Sequence, residues 1–120
     1  MNAEYITDYC LAKEDVTSGF PFGPETLVFK INEKVFCLMG LDRDPLSINL
    51  KCDPELAMEL RERHPAVIPG YHMNKKHWNT ITIESELDDR FICELIDHSY
   101  ELVASGLNRA EKELLDNEAI

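Results

Sequence analysis

Two His, two Lys, two aromatics and two Asn fall within the twelve positions Pro69-Gly70-Tyr71-His72-Met73-Asn74-Lys75-Lys76-His77-Trp78-Asn79-Thr80. These types could chelate a metal, move a proton or hold an anionic polymer, and their spacing helps to separate the three. His72 and His77 are five positions apart, which is about 140° around a helix and opposite faces of a strand, so no regular element aims both at one ion. The chain also lacks Cys-x-x-Cys, His-Glu-x-x-His and any i,i+4 His pair, and no metal site is expected. A thiol nucleophile would need Cys52 beside His72 or His77 as base. Cys52 precedes a helix start, where the dipole stabilises a thiolate, but burial as a small hydrophobe is the commoner fate of such a cysteine. There is no Gly-rich phosphate loop, nucleotide fingerprint or Ser elbow. No catalytic residue and no cofactor is assigned, and the chain is read as a non-enzyme.

Binding has more support, because strand parity gathers a specific set of groups. Leu46-Ser-Ile-Asn-Leu-Lys51 alternates strictly, with Leu46, Ile48 and Leu50 on one face and Ser47, Asn49 and Lys51 on the other. A strand over Trp78 to Ile83 sends Asn79, Ile81 and Ile83 one way and Trp78, Thr80 and Thr82 the other. With the aliphatic sides turned to a core, Ser47, Asn49, Lys51, Trp78, Thr80 and Thr82 share the opposite face, and Lys30 and Val28 join them if Leu27, Phe29 and Ile31 point inward. An indole offers a stacking plane, lysines meet phosphate, and amides form hydrogen bonds. The competing expectation is that Trp78 is covered by Tyr71 and the 65–77 loop, or by a second subunit.

Tyr5, Ile6, Tyr9 and Cys10 recur at helical spacing behind Asn2, which predicts a first helix over about 2–12 with its aromatics in the core. Residues 13–26 read as a Gly- and Pro-rich loop in which Phe20 and Phe22, set between prolines, pin the loop onto the core. Thr26–Ile31 and Val35–Met39 around Asn32-Glu33-Lys34 read as a hairpin. The second run has no polar alternation, as in a strand covered at least in part on both sides. Asp53-Pro54-Glu55 combines an N-cap, a first-turn proline and a dipole-complementing acid, and starts a helix that ends near Arg63 or His64, before Pro65. A long amphipathic helix begins at Asp88, with Leu87 and Ile92 as a staple, and the charged segment 108–120 extends it. The fold class expected is α+β: an antiparallel sheet of about four strands, with an N-terminal, a middle and a long C-terminal helix packed largely on one face.

The 120 residues suit a single domain spanning the chain. Twelve basic against 23 acidic residues give a net charge of −11, which repels nucleic acid and anionic membrane unless basic groups are segregated. They are partly segregated: residues 61–83 carry Arg61, Arg63, Lys75 and Lys76 against Glu62, a net of +3, while the remainder carries −14. His64, His72 and His77 would add charge below about pH 6.5. Four cysteines without a close pair and an N-terminus without a leader pattern predict reduced thiols in a cytoplasm. No apolar run approaches the ~18 residues of a membrane span.

Ser47-Ile-Asn-Leu-Lys-Cys-Asp-Pro-Glu55 and then residues 69–80 closely resemble the MmcQ/YjbR family of small bacterial proteins, and the resemblance runs from the first helix to about Leu107. It implies a double-wing, CyaY-like α+β fold and the DNA-binding role by which the family is usually labelled. Lys51, His72, Asn74, Lys75, Lys76, His77 and Trp78 match the family's characteristic motif and are its implied DNA contacts. So few cations imply weak, salt-sensitive affinity. The alternative, from the net charge and the family's similarity to secretion chaperones, is a protein-interaction or chaperone-like module that uses the Trp78 face and binds another protein or a second subunit.

Overall fold

The computed structural model describes residues 1–70 and 73–118, and within these the side chains up to residue 106. The architecture is α+β, with three helices on an antiparallel sheet of six strands, two more than expected. The strands are β1 (Val16–Gly19), β2 (Thr26–Ile31), β3 (Lys34–Gly40), β4 (Ser47–Lys51), β5 (Val67–Pro69) and β6 (Trp78–Thr82), in the order β1-β2-β3-β4-β6-β5. The two additional strands are the edges. β1 lies inside the segment read as loop, and β5 in the link to residues 69–80; at four and three residues they are too short for a periodic signal. Pro69 fits an edge, where no ladder donor is lost.

The helices are α1 (Ala3–Leu11), α2 (Pro54–Arg63) and α3 (Asp89–Glu118). Each starts where its cap predicts. Asn2 Oδ1 accepts from Tyr5 N at 2.8 Å, Asp53 Oδ2 from Leu56 N at 3.2 Å and Asp88 Oδ1 from Phe91 N at 2.7 Å. Ile6, Cys10, Ala57, Leu60, Ile92 and Ile96 from the helices bury against Phe29, Met39, Ile48, Leu50, Ile81 and Ile83 from one side of the sheet.

Between β2 and β3 a two-residue turn places Asn32 and Glu33 at φ 46° and 70°, the left-handed pair whose twist matches a hairpin. The missing polar alternation in β3 has two causes: the strand is covered in part on both sides, as expected, with the outward Leu38 only 9% exposed, and it carries a bulge. The pairing register shifts between Phe29 and Lys30, so Phe29 pairs with Cys37 and Lys30 with Val35, leaving Phe36 as the extra residue of a bulge. Phe36 meets Tyr100 of α3 edge-on at 5.4 Å, while Cys37 meets Cys10 of α1, so two consecutive residues face the helices. Ser99 of α3 fastens this point: its buried hydroxyl donates to the Phe36 carbonyl at 2.5 Å and accepts from Lys51 N at 2.9 Å. Among the described residues no helix is long and apolar enough to cross a membrane.

Candidate functional site

Among the described residues no helix packs on the second face of the sheet. Its register confirms the predicted parity: Lys51 pairs with Trp78, Asn49 with Thr80 and Ser47 with Thr82. One row runs across all six strands as Gly19, Val28, Leu38, Asn49, Thr80 and Ile68. Lys30 projects on this face beside Thr17 and Val35. The outward strand positions thus hold Lys30 and Lys51 and no Asp or Glu, in a chain with 23 acids. The helices on the other face carry many of those acids, among them Glu4, Asp8, Glu55, Glu59, Glu62, Asp89, Glu94, Asp97 and Glu101.

This face is recessed. Val28, Leu38 and Thr80 are only 1%, 9% and 8% exposed although no helix covers them. A cleft of about 760 Å³ opens over Leu38, Asn49 and Thr80, walled by Phe22, Ile68 and Met73 and closed at one end by Glu25, Asp42 and Arg43. The Thr80 hydroxyl donates to the Asn49 carboxamide oxygen on the cleft floor. Gly40 lies against this end, where a Cβ would sit 3.1 Å from Arg43 Cγ and 3.7 Å from Asp42 Oδ1. A second cleft of about 380 Å³ lies across β2, between Phe20, Pro21, Val28 and Lys30.

Both clefts depend on residues that the sequence reading assigned to the core. Phe20 is 51% and Phe22 70% exposed, so the Phe-Pro-Phe turn does not pin the loop inward. The prolines and Gly23, at φ 116°, instead hold the two rings out at the rims of the clefts. Two Phe set between prolines were the available sequence signal, and it could not tell rings turned inward from rings turned out in a segment without alternation.

The loop before β6 presents the remaining predicted residues. Asn74, Lys75 and Lys76 are exposed, and His77 and Trp78 are half-buried. His72, and Tyr71 as a cover for Trp78, lie outside the described residues. Asn74 organises the turn: its side-chain oxygen accepts from Lys76 N at 2.9 Å, and its carbonyl accepts from His77 N at 3.2 Å and Trp78 N at 3.0 Å. The His77 carbonyl accepts from Cys52 N at 2.7 Å, which ties the loop to the end of β4 beside Lys51. Gly70 N donates to the Trp78 carbonyl at 2.8 Å, and a Cβ on Gly70 would meet Trp78 Cβ at 2.8 Å, so only glycine allows this approach.

Arg61, counted above as basic territory, has a different task. From α2 its Nε donates to Asn79 Oδ1 at 2.6 Å, and its Nη2 donates to the Trp78 carbonyl at 3.3 Å and to the Lys75 carbonyl. The guanidinium braces the lysine loop from behind. Subtracting it leaves Lys51, Lys75 and Lys76, with Lys30 farther along the sheet and Arg43 at the end of the first cleft, among the cations that bear on this surface.

Cys37, Cys52 and Cys93 are all shifted away from the thiolate. Burial pushes Cys52 up to about 11, the Asp53 charge adds to this, and Arg61 opposes it. Its position at a helix start is thus outweighed by desolvation. Hydrogen bonding with Cys10 and burial hold Cys37 well above the usual thiol range, and burial raises Cys93. Among the described residues no group of three or more His, Cys, Asp or Glu is placed to hold a metal.

The family model for YjbR matches residues 11–102. The chain belongs to the YjbR family. It is 41% identical over 93 residues to the uncharacterised protein YbdF of Escherichia coli O157:H7, covering 78% of this chain and 76% of that protein. Against the uncharacterised protein YjbR of Escherichia coli K12 it is 30% identical over 115 residues, covering 96% and 98%. The crystal structure of the Deinococcus radiodurans protein DR2400 is similar to it at a TM-score of 0.81 and 38% identity, covering 85% of this chain and 78% of that one. A Pseudomonas syringae crystal structure follows at 0.74 and 32%, covering 86% and 99%. The matched span includes the whole sheet and both clefts, so the helix-free face lies within the part of the chain that defines the family.

Proposed function

We propose that this protein is a weak nucleic-acid-binding module of the double-wing DNA-binding type, which engages the polymer with the helix-free face of its sheet and the rim Asn74–Trp78. One observation carries the reading: the outward strand positions of that face hold lysines and no carboxylate, while the helices behind them hold acids in number. Such segregation lets a chain of net charge −11 meet a polyanion in one orientation. Long-range repulsion by the remainder keeps affinity low and makes it fall with salt. The four free cysteines fit a reducing cytoplasm as the place of action.

A protein-docking role on the same face is the second reading, favoured by the exposed apolar groups Phe20, Phe22 and Ile68. Fluorescence anisotropy of labelled DNA at about 50 and 200 mM salt separates the two. Nucleic-acid binding predicts a complex that weakens steeply with salt and is lost in Lys75→Glu with Lys76→Glu. Absence of binding at the lower salt rejects it in favour of protein docking.

A further inference from the structure

The helix-free face differs from a duplex-binding surface in its depth. A duplex presents a convex row of phosphates with its bases stacked inside, and it is read by an element that protrudes into a groove. Here the floor is sunken, with Leu38 and Thr80 below tenth exposure and Phe22 and Ile68 standing above them at 70% and 49%. The cleft of about 760 Å³ lies within the ~300–1,000 Å³ typical of pockets that enclose a small organic ligand. Its walls are apolar, and the polar groups sit on the floor and at one end.

We infer that this surface takes single-stranded nucleic acid, with an unstacked base seated in the Phe22 cleft and its neighbour at the Phe20 cleft, in preference to duplex. The inference rests on the nucleic-acid reading above and deepens it. Phe22 and Phe20 stand at the mouths of two clefts on the same face, with Lys30 and Glu33 both lining the second. Exposed rings at successive recesses form a stacking platform that suits any base. The charge pattern agrees: Lys30 and Lys51 lie on the sheet beside the clefts, and Lys75 and Lys76 stand exposed at the rim near Met73. At the closed end Asp42 and Glu25 outnumber Arg43, so that end disfavours a phosphate, and the two carboxylates can accept hydrogen bonds from the amino group of a base. The backbone therefore runs on the lysine side and the base edge points to the carboxylates. A duplex can offer no edge there without breaking its pairs.

The test uses the full chain and end-labelled oligonucleotides of about twelve nucleotides, single-stranded and as a blunt duplex, at about 50 mM salt. Anisotropy and quenching of the sole tryptophan, Trp78, are both followed. Single strands are expected to bind roughly tenfold or more tightly than duplex, and Phe22→Ala to remove roughly tenfold of single-strand affinity. Met58→Ala, at an exposed position on α2, should change nothing. Phe22 is largely exposed, so its replacement leaves the fold intact. Duplex binding as tight as single-strand binding, or an unchanged Phe22→Ala affinity, overturns this inference while the nucleic-acid reading stands. Absence of binding to either form removes both.

Discussion

Replacing Arg61 distinguishes a brace from a ligand-binding cation. Arg61→Ala removes a donor to Asn79 Oδ1 at 2.6 Å and two donors to the carbonyls of Lys75 and Trp78. Asn79 is only 1% exposed, so water cannot replace its partner, whereas the Trp78 carbonyl keeps Gly70 N. Hydrogen bonds to a charged group contribute about 1.5–3 kcal/mol each, and an orphaned buried acceptor costs about 1–3 kcal/mol. Arg61 is half-buried, which discounts the outer bonds and leaves an expected loss of about 3 kcal/mol. In urea, where m is about 1–3 kcal/mol/M, the midpoint should fall by more than about 1 M. Arg63→Ala, two residues on and exposed, should stay within about 0.5 kcal/mol. Arg61→Lys should recover little, because an ammonium cannot span two carbonyls and an amide at once. Equal midpoints for the two alanine variants, or full recovery by lysine, would refute the bracing role and return Arg61 to the cations available for phosphate.

Three further outcomes follow from the geometry. Ser99→Ala leaves Lys51 N without its acceptor and the buried Phe36 carbonyl without its donor, and should cost about 1–3 kcal/mol in thermal or urea unfolding. Gly70→Ala drives a Cβ to 2.8 Å from Trp78 Cβ and 3.0 Å from its carbonyl; a loss of about 1–3 kcal/mol and altered Trp78 emission should appear together. Cys52 is held at about 11 in the folded state against a usual thiol near 9. The unfolded chain therefore loses its proton first, and stability should decline as pH rises from about 9 to 11. Cys52→Ala should flatten part of that decline in a pH series of urea midpoints, with Cys37, Cys93 and the raised phenols of Tyr5, Tyr9 and Tyr100 contributing what remains.

Regular alternation and capping chemistry were legible in the sequence. Leu46–Lys51 and Trp78–Thr82 sort onto the two faces by parity alone, and the pairing of Lys51 with Trp78 agrees with that sorting without being fixed by it. The Asp53-Pro54-Glu55 start is equally local, since cap, proline and dipole act within one turn. Tertiary features were hidden. The edge strands Val16–Gly19 and Val67–Pro69 owe their state to the neighbours they pair with rather than to any period of their own. In β3, Phe36 and Cys37 look like an unbroken apolar run, because a bulge that puts adjacent residues on one side leaves no mark in composition. Phe22 looked like core for want of alternation, although its exposure gives the cleft its mouth. Arg61 looked like free charge because its acceptors, 14 to 18 residues away, are found only on folding.

The helix-free face as the contact surface is tested most directly by amide chemical-shift mapping of the labelled protein, titrated with a short single-stranded oligonucleotide. The expected result is a set of shifts confined to the Gly19–Val28–Leu38–Asn49–Thr80–Ile68 row, the Phe20–Gly23 turn and residues 74–78, with α1, α2 and α3 silent. Shifts on the outer surfaces of the helices with the sheet face silent would contradict it.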